Sequence, residues 1–179
     1  MPAIRKNGFI TINLLSSMTH ILFVCLGNIC RSPLAEGIFN HLVASKGLCQ
    51  EMISRSAGIA DYHIGEPADH RAIKVAHRHN IEIRHEVRQL RESDFQDFDY
   101  IVAMDQSNYT SITHHPGYMH SRAEVVMMRS FDAAASDSNV PDPYFGSMDG
   151  FEKVYQMLMK ANEGFIDFLA EKNRSVATN

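Results

Sequence analysis

Tryptophan is absent from this 179-residue chain, and cysteine is scarce, at three residues. Cys25, Cys30 and Cys49 include no Cys-x-x-Cys pair, and three are too few for a disulfide framework. That excludes the small disulfide-stapled secreted class and fits a reducing compartment, the cytoplasm. No apolar run approaches the ~20 residues that a membrane helix needs, so no membrane partner is expected. No long basic block occurs either: 17 Lys and Arg face 21 Asp and Glu, for a net charge of −4. A nucleic-acid partner is therefore not expected. There is no internal repeat and no shift of composition that would mark a second domain. What is present, 45% hydrophobic and 21% charged residues, excludes a wholly disordered chain. The length suits one domain with a sizeable core.

The first residues stand apart. Arg5 and Lys6 ahead of Gly8–Leu15 faintly resemble the charged and apolar parts of a signal peptide, but Thr11 and Asn13 dilute the apolar part. Met18-Thr19-His20, directly before the first strand pattern, would itself make a natural start. Residues 1–17 are read as a dispensable N-terminal extension, 18–173 as the folded domain and 174–179 as a polar, frayed tail.

Short apolar runs alternate with helical patterns along that domain. Ile21–Val24, Met52–Ala57, Tyr100–Met104 and Val125–Met128 read as strands, the third and fourth as clearly buried ones. Leu34, Ala35, Ile38, Phe39, Leu42 and Val43 recur at helical spacing, with Ser32 as N-cap, Pro33 at the first helical position and Gly47 ending the helix. Asp69–His79 reads as a helix, and Ile81–Ile83 as short and irregular. Ser130–Pro143 reads as a long polar loop. The last helix carries Phe151, Val154, Tyr155, Leu158, Ala161, Phe165 and Leu169 on one face, with Asp149 and Glu152 spaced as a capping box. Alternation of this kind predicts a single-domain three-layer α/β/α fold around a four-stranded parallel sheet. Ligands of such sheets bind beyond the carboxyl ends of the strands, and Cys25 stands at such an end.

The loop from Cys25 to Ser32 carries the chemistry. Cysteine, five residues and arginine form a loop short enough for successive N–H groups to converge on one tetrahedral oxyanion, ahead of a helix N-terminus that favours negative charge. Gly27 permits close approach of the backbone, and Asn28 tolerates the left-handed conformation such a loop needs. Arg31 can grip two oxygens with its planar fork, as lysine could not. The same positive field favours the Cys25 thiolate, and a free thiol of pKa ~8.5 falls to ~3.5–7.5 in such surroundings. The Ser32 hydroxyl can hold that thiolate or ease its later departure.

The stretch VCLGNICRSPLAEGIF is similar to the signature of the low-molecular-weight protein tyrosine phosphatases. The resemblance runs from about His20 to the end of the last helix. It implies an enzyme that hydrolyses phosphotyrosine monoesters in protein substrates through a cysteinyl-phosphate, with no cofactor and no metal. It further implies Cys25 as nucleophile and Arg31 as transition-state clamp, with Leu26, Gly27, Asn28, Ile29, Cys30, Arg31 and Ser32 forming the phosphate-binding loop. Asn28 and Ser32 support that loop, with Ser56 as a partner of Asn28. Asp142-Pro143-Tyr144 matches the family's general-acid loop, which makes Asp142 the proton donor and later the base. Tyr62 and Tyr144 match the aromatic walls of the substrate slot, a shape suited to a flat phenyl ring. Cys30 is either a packed loop residue or a redox partner of Cys25, the role the family often gives it. Cys49, His85, Arg88, Gln89 and Asp105 are read as structural. Inorganic phosphate and vanadate are implied as inhibitors, and the oligomeric state as monomer or weak dimer.

Ten histidines, including the pairs His77/His79 and His114/His115, have no accompanying acidic or cysteine cluster and are read as surface residues. Three other functions share parts of this pattern. A thioredoxin-coupled arsenate reductase needs relay cysteines, and Cys49 falls in the wrong region. A protein-arginine phosphatase of the same fold has threonine where Ile29 stands, and Ile29 with Tyr62 favours an aromatic phosphoester. A non-catalytic phosphotyrosine-binding module would not need Cys25, Arg31 and Asp142 together.

Overall fold

The computed structural model describes residues 18–177. The expected extension at 1–17 and the last two residues of the tail lie outside the described residues. In chain order the elements are β1 (Thr19–Cys25), α1 (Arg31–Ser45), β2 (Met52–Gly58), α2 (His70–Arg78), α3 (Asp94–Asp97), β3 (Tyr100–Ala103), α4 (Gln106–Thr113), β4 (Glu124–Met127) and α5 (Met148–Ala177). Two 3₁₀ turns, Pro116–His120 and Met128–Phe131, flank β4.

The four strands form one parallel sheet in the order β2-β1-β3-β4. Their side chains alternate between two cores. Ile21, Phe23 and Cys25 of β1 point into the cluster built with α1, α2 and α5. Leu22 and Val24 point into the cluster that holds Phe95 of α3 and Ile112 of α4. Both faces of the sheet are thus covered, which explains why β1 reads as an unbroken apolar run. Full burial of each such Leu, Ile or Phe side chain contributes roughly 1.5–3 kcal/mol. From β1 the chain steps outward to β2 and then crosses back to β3 on the other side of β1. The strand order therefore reverses beside β1, and the crevice at that switch opens at Cys25.

The expected helix faces are present: Leu34, Ala35, Ile38, Phe39 and Val43 of α1 are buried, as are all seven apolar positions named for α5. Gly47 follows α1 with φ +72, the left-handed geometry that ends a helix. Gly164 of α5 is required by packing, because a Cβ there would stand 2.0 Å from the Phe131 carbonyl oxygen.

Five local expectations are corrected. Ser32 is not the N-cap of α1: the helix begins at Arg31, Leu34 N–H donates to the Cys30 carbonyl, and Pro33 falls two positions later than expected. The Asp149/Glu152 capping box does not form, because α5 begins at Met148 and Glu152 instead meets His79 at 2.8 Å. β4 is only half-buried, with Glu124 exposed, because an edge strand has one neighbour and an open flank. The tail does not leave the helix after Lys172, since α5 continues to Ala177. Cys49 is exposed in the turn after α1 and so has no packing role.

Candidate active site

The loop after β1 is held from beneath by its own asparagine. Asn28 has φ +54, the left-handed conformation expected of it, and is fully buried. Its amide nitrogen donates to the Ser32 hydroxyl at 2.8 Å and the Ser56 hydroxyl at 3.0 Å, while its amide oxygen accepts from Arg88 N–H at 3.2 Å. Its backbone carbonyl lies 2.8 Å from His85 Nε2. Asp94 in turn grips the Arg88 guanidinium through both carboxylate oxygens, at 2.9 and 3.1 Å. The Ser56 hydroxyl in turn donates to Glu36 Oε2 at 2.7 Å. Burial pushes the Glu36 carboxyl pKa up, partly offset by that hydrogen bond. Burial likewise pushes the His85 pKa down, and Nε2, facing a carbonyl oxygen, is the donor of its bond.

The Ser32 oxygen accepts from Asn28 and lies 3.0 Å from the Cys25 sulfur, and towards a thiolate, which has no proton to give, Ser32 is the donor. A serine used this way cannot cap the helix, and Cys30, the capping residue, makes no side-chain cap bond. The first N–H groups of α1 are consequently left to a ligand. Gly27 has no positive φ, and a Cβ there would meet only the His63 ring, at 3.4 Å, and Ile29.

Arg31, 3% exposed, extends under the mouth of the loop. Its Nη1 donates to Asp105 Oδ2 at 2.5 Å and to the Val140 carbonyl at 3.2 Å, and its Nη2 to Asp142 Oδ2 at 2.7 Å. Burial works against the Arg31 charge, but the negative groups around it, Cys25, Asp142 and Asp105, outweigh burial and hold its pKa up. Cys30 is buried in the core with its thiol pKa pushed up, first by burial and then by the charges of Asp69, Cys25 and Asp142.

Above these groups lies a cavity of about 250 Å³. Its floor is Cys25, Leu26, Gly27, Ile29, Cys30 and Arg31, and its walls are Tyr62, His63, Asp142, Tyr144 and Phe145. The structure thus brings together, from the end of β1, the start of α1, the β2–α2 loop and the loop before α5, the residues named from sequence as nucleophile, clamp, acid and aromatic walls. Ser32, Asn28 and Ser56 sit beneath the cavity as supports. A larger cavity of about 430 Å³ lies elsewhere, between α1 and residues 80–85.

Asp105, Asp69 and Arg71 were not singled out as functional by sequence. Asp105 had a signal, since it lies two residues past β3 at the same sheet edge as Cys25; it is both the N-cap of α4 and the carboxylate that anchors Arg31. Asp69 carries an N-cap signal for α2, and its carboxylate receives Arg71 from the same helix.

A cysteine at the end of a central strand, with an uncapped helix start, a buried arginine and a nearby carboxylate, defines a Cys-x5-Arg oxyanion site on a doubly covered parallel sheet. Residues 20–175 match the family model described as low molecular weight phosphotyrosine protein phosphatase. The human protein of that description is 36% identical over 148 residues, 82% of this chain and 93% of its own. Among solved structures, a protein tyrosine phosphatase from Entamoeba histolytica with Hepes in its active site matches with TM-score 0.80 and 37% identity, covering 86% of this chain and 98% of its own. A Drosophila arginine phosphatase matches with TM-score 0.77 and 33% identity, over 83% and 96%. The chain belongs to the low molecular weight phosphotyrosine protein phosphatase family.

Proposed function

We propose that this chain hydrolyses phosphotyrosine monoesters in proteins through a cysteinyl-phosphate on Cys25. The observation that carries the reading is the convergence of Cys25, Arg31 and Asp142 on one cavity, with Asp142 Oδ2 2.7 Å from Arg31 Nη2. In the first step the Cys25 thiolate attacks phosphorus, the S–P bond forms and the P–O(aryl) bond breaks. Protonated Asp142 gives its proton to the departing aryloxide. The loop N–H groups and Arg31 hold the charge on the equatorial oxygens. In the second step Asp142 takes a proton from water, the water oxygen bonds to phosphorus, and S–P cleavage returns the thiolate and releases phosphate.

The Ser32 hydroxyl, 3.0 Å from the sulfur, can donate to the thiolate as attacking and leaving group. The substrate dianion competes with Asp142 for Arg31 Nη2, so its arrival frees the carboxyl to face the leaving group. Hepes, a sulfonate, in the active site of the Entamoeba relative agrees with an oxyanion in this cradle. Ile29, Tyr62 and Tyr144 give the cavity an apolar, aromatic lining that suits a phenyl ring. The similarity to a Drosophila arginine phosphatase keeps phosphoarginine as the second reading.

Competition between phosphotyrosine and phosphoarginine peptides tests the assignment: preferential turnover of phosphotyrosine is expected, and preference for phosphoarginine overturns it. Cys25→Ser should abolish turnover of p-nitrophenyl phosphate. Asp142→Ala should slow it by ~10²–10⁴ while vanadate still binds. The proposed setting is the cytoplasm, consistent with free thiols at Cys25, Cys30 and Cys49. Among the described residues no helix is long and apolar enough to cross a membrane. A chain starting at Met18 should retain full activity, and a large loss would refute the dispensable extension.

A further inference from the structure

We propose that Arg71 is a positioning residue that ties the acid-bearing loop to the nucleophile loop, so that Asp142 works only as well as Arg71 holds it. The proposal rests on the assignment of Asp142 as general acid. Arg71 lies in α2, behind the Tyr144 wall rather than in the lining of the cavity, and its hydrogen bonds go to neither Cys25 nor Asp142.

Its contacts run in both directions. On one edge, Nε and Nη2 hold the Asp69 carboxylate at 3.0 and 2.8 Å. Asp69 is itself fastened to the nucleophile loop, since its backbone N–H donates to the Ile29 carbonyl at 2.8 Å. The Arg71 bonds hold the Asp69 carboxyl below the usual carboxylate range, so the pair stays charged through neutral pH. On the other edge, Arg71 Nη1 reaches across to the Gly146 carbonyl at 3.0 Å. The guanidinium also stacks 5.7 Å from the Tyr144 ring and 4.6 Å from the ring of buried Phe151 at the start of α5.

The segment it grips is a tight turn rather than a slack loop. Gly146 N–H donates to the Pro143 carbonyl at 2.8 Å, and Tyr144 N–H donates to Asp142 Oδ1 at 3.1 Å. Fixing Gly146 and Tyr144 therefore fixes Asp142. One path of short contacts runs from the Ile29 carbonyl through Asp69 and Arg71 to the residue that must protonate the leaving group. Only a planar fork can serve Asp69 on one edge and Gly146 on the other, so lysine cannot replace it.

The test uses the full chain, with Arg71→Met keeping the apolar stem and Arg71→Lys keeping the charge opposite Asp69. kcat/KM is measured for a series of aryl phosphates from p-nitrophenyl to phenyl, and urea unfolding is followed alongside. Loss of acid positioning falls on poor leaving groups, which need the proton most. Both variants should lose roughly 10-fold on phenyl phosphate and about 2-fold or less on p-nitrophenyl phosphate, part of the ~10²–10⁴ that general acids supply. The dependence on leaving-group pKa thus steepens, which mere destabilisation would not cause. In the Asp142→Ala background, Arg71→Lys should cost nothing further on phenyl phosphate, because residues acting through one group are not additive. A uniform loss across leaving groups, an undiminished loss in the Asp142→Ala background, or full activity of Arg71→Lys would each overturn the proposal. A wild-type chain inactive on every aryl phosphate would instead overturn the function on which it rests.

Discussion

Replacing Asn28 by alanine tests whether the phosphate loop is held by one residue's conformation and side chain together. The backbone there has φ +54, a region in which an L-residue without local hydrogen bonding is strained by ~1–2 kcal/mol. The side chain also makes three hydrogen bonds, to Ser32, Ser56 and the Arg88 N–H, in a fully buried setting. At about 1 kcal/mol net for each, and with the strain added, the loss comes to ~4 kcal/mol. For a chain of this size that corresponds to a fall of roughly 8–16 °C in Tm. Asn28→Gly loses the same bonds but not the conformation. Relief of strain outweighs the ~0.4–1 kcal/mol that glycine's extra freedom in the unfolded chain costs, so it should be the more stable of the two. Asn28→Asp keeps the acceptor for Arg88 but presents an acceptor where Ser32 and Ser56 need a donor. The Ser32 proton would then turn from sulfur to carboxylate, and activity should fall further than stability. Urea unfolding, with turnover of p-nitrophenyl phosphate, reads all three variants. A loss under ~1 kcal/mol for Asn28→Ala, or Asn28→Ala more stable than Asn28→Gly, would refute this account of the loop.

Three further outcomes follow from the same contacts. His85 has its folded pKa depressed by burial, so the native state resists protonation. Its contribution to stability is present above the ordinary histidine value of ~6.5 and is lost as pH falls through the depressed folded pKa. His85→Gln keeps a donor for the Asn28 carbonyl and cannot titrate, so its stability curve should be flatter over that window; identical curves would refute the assignment. Gly164→Ala places a Cβ against the Phe131 carbonyl and should cost more than the ~1–3 kcal/mol usual for overpacking, read as a lowered urea midpoint. Asp105→Asn keeps an N-cap for α4 but removes the charge opposite Arg31 Nη1. It should weaken vanadate inhibition through a less well-held guanidinium and also lower the unfolding midpoint, because the buried Arg31 charge loses a partner; an unchanged inhibition constant would argue against Asp105 as the anchor.

The sequence by itself determined the strand-loop-helix order at Cys25, the left-handed asparagine and the apolar faces of α1 and α5. These are local matters of residue type, spacing and period, complete within a few turns of chain. It also carried the family likeness on which Asp142, Ser56, Tyr62 and Tyr144 were named, and the structure places these residues around or beneath one cavity. Local pattern misled where a side chain had a better distant partner: Ser32 was claimed by Cys25 and Asn28 rather than the helix end, and Glu152 by His79. Tertiary structure alone decided that Asp105 and Asp142, 74 and 111 residues beyond Arg31, grip the same guanidinium. It alone set Arg71 between two loops that are far apart in the chain. A charged residue carries no mark of the carboxylate or carbonyl it will meet. Only the closing of the sheet, and the packing of α2 and α5 on one face of it, chooses that partner.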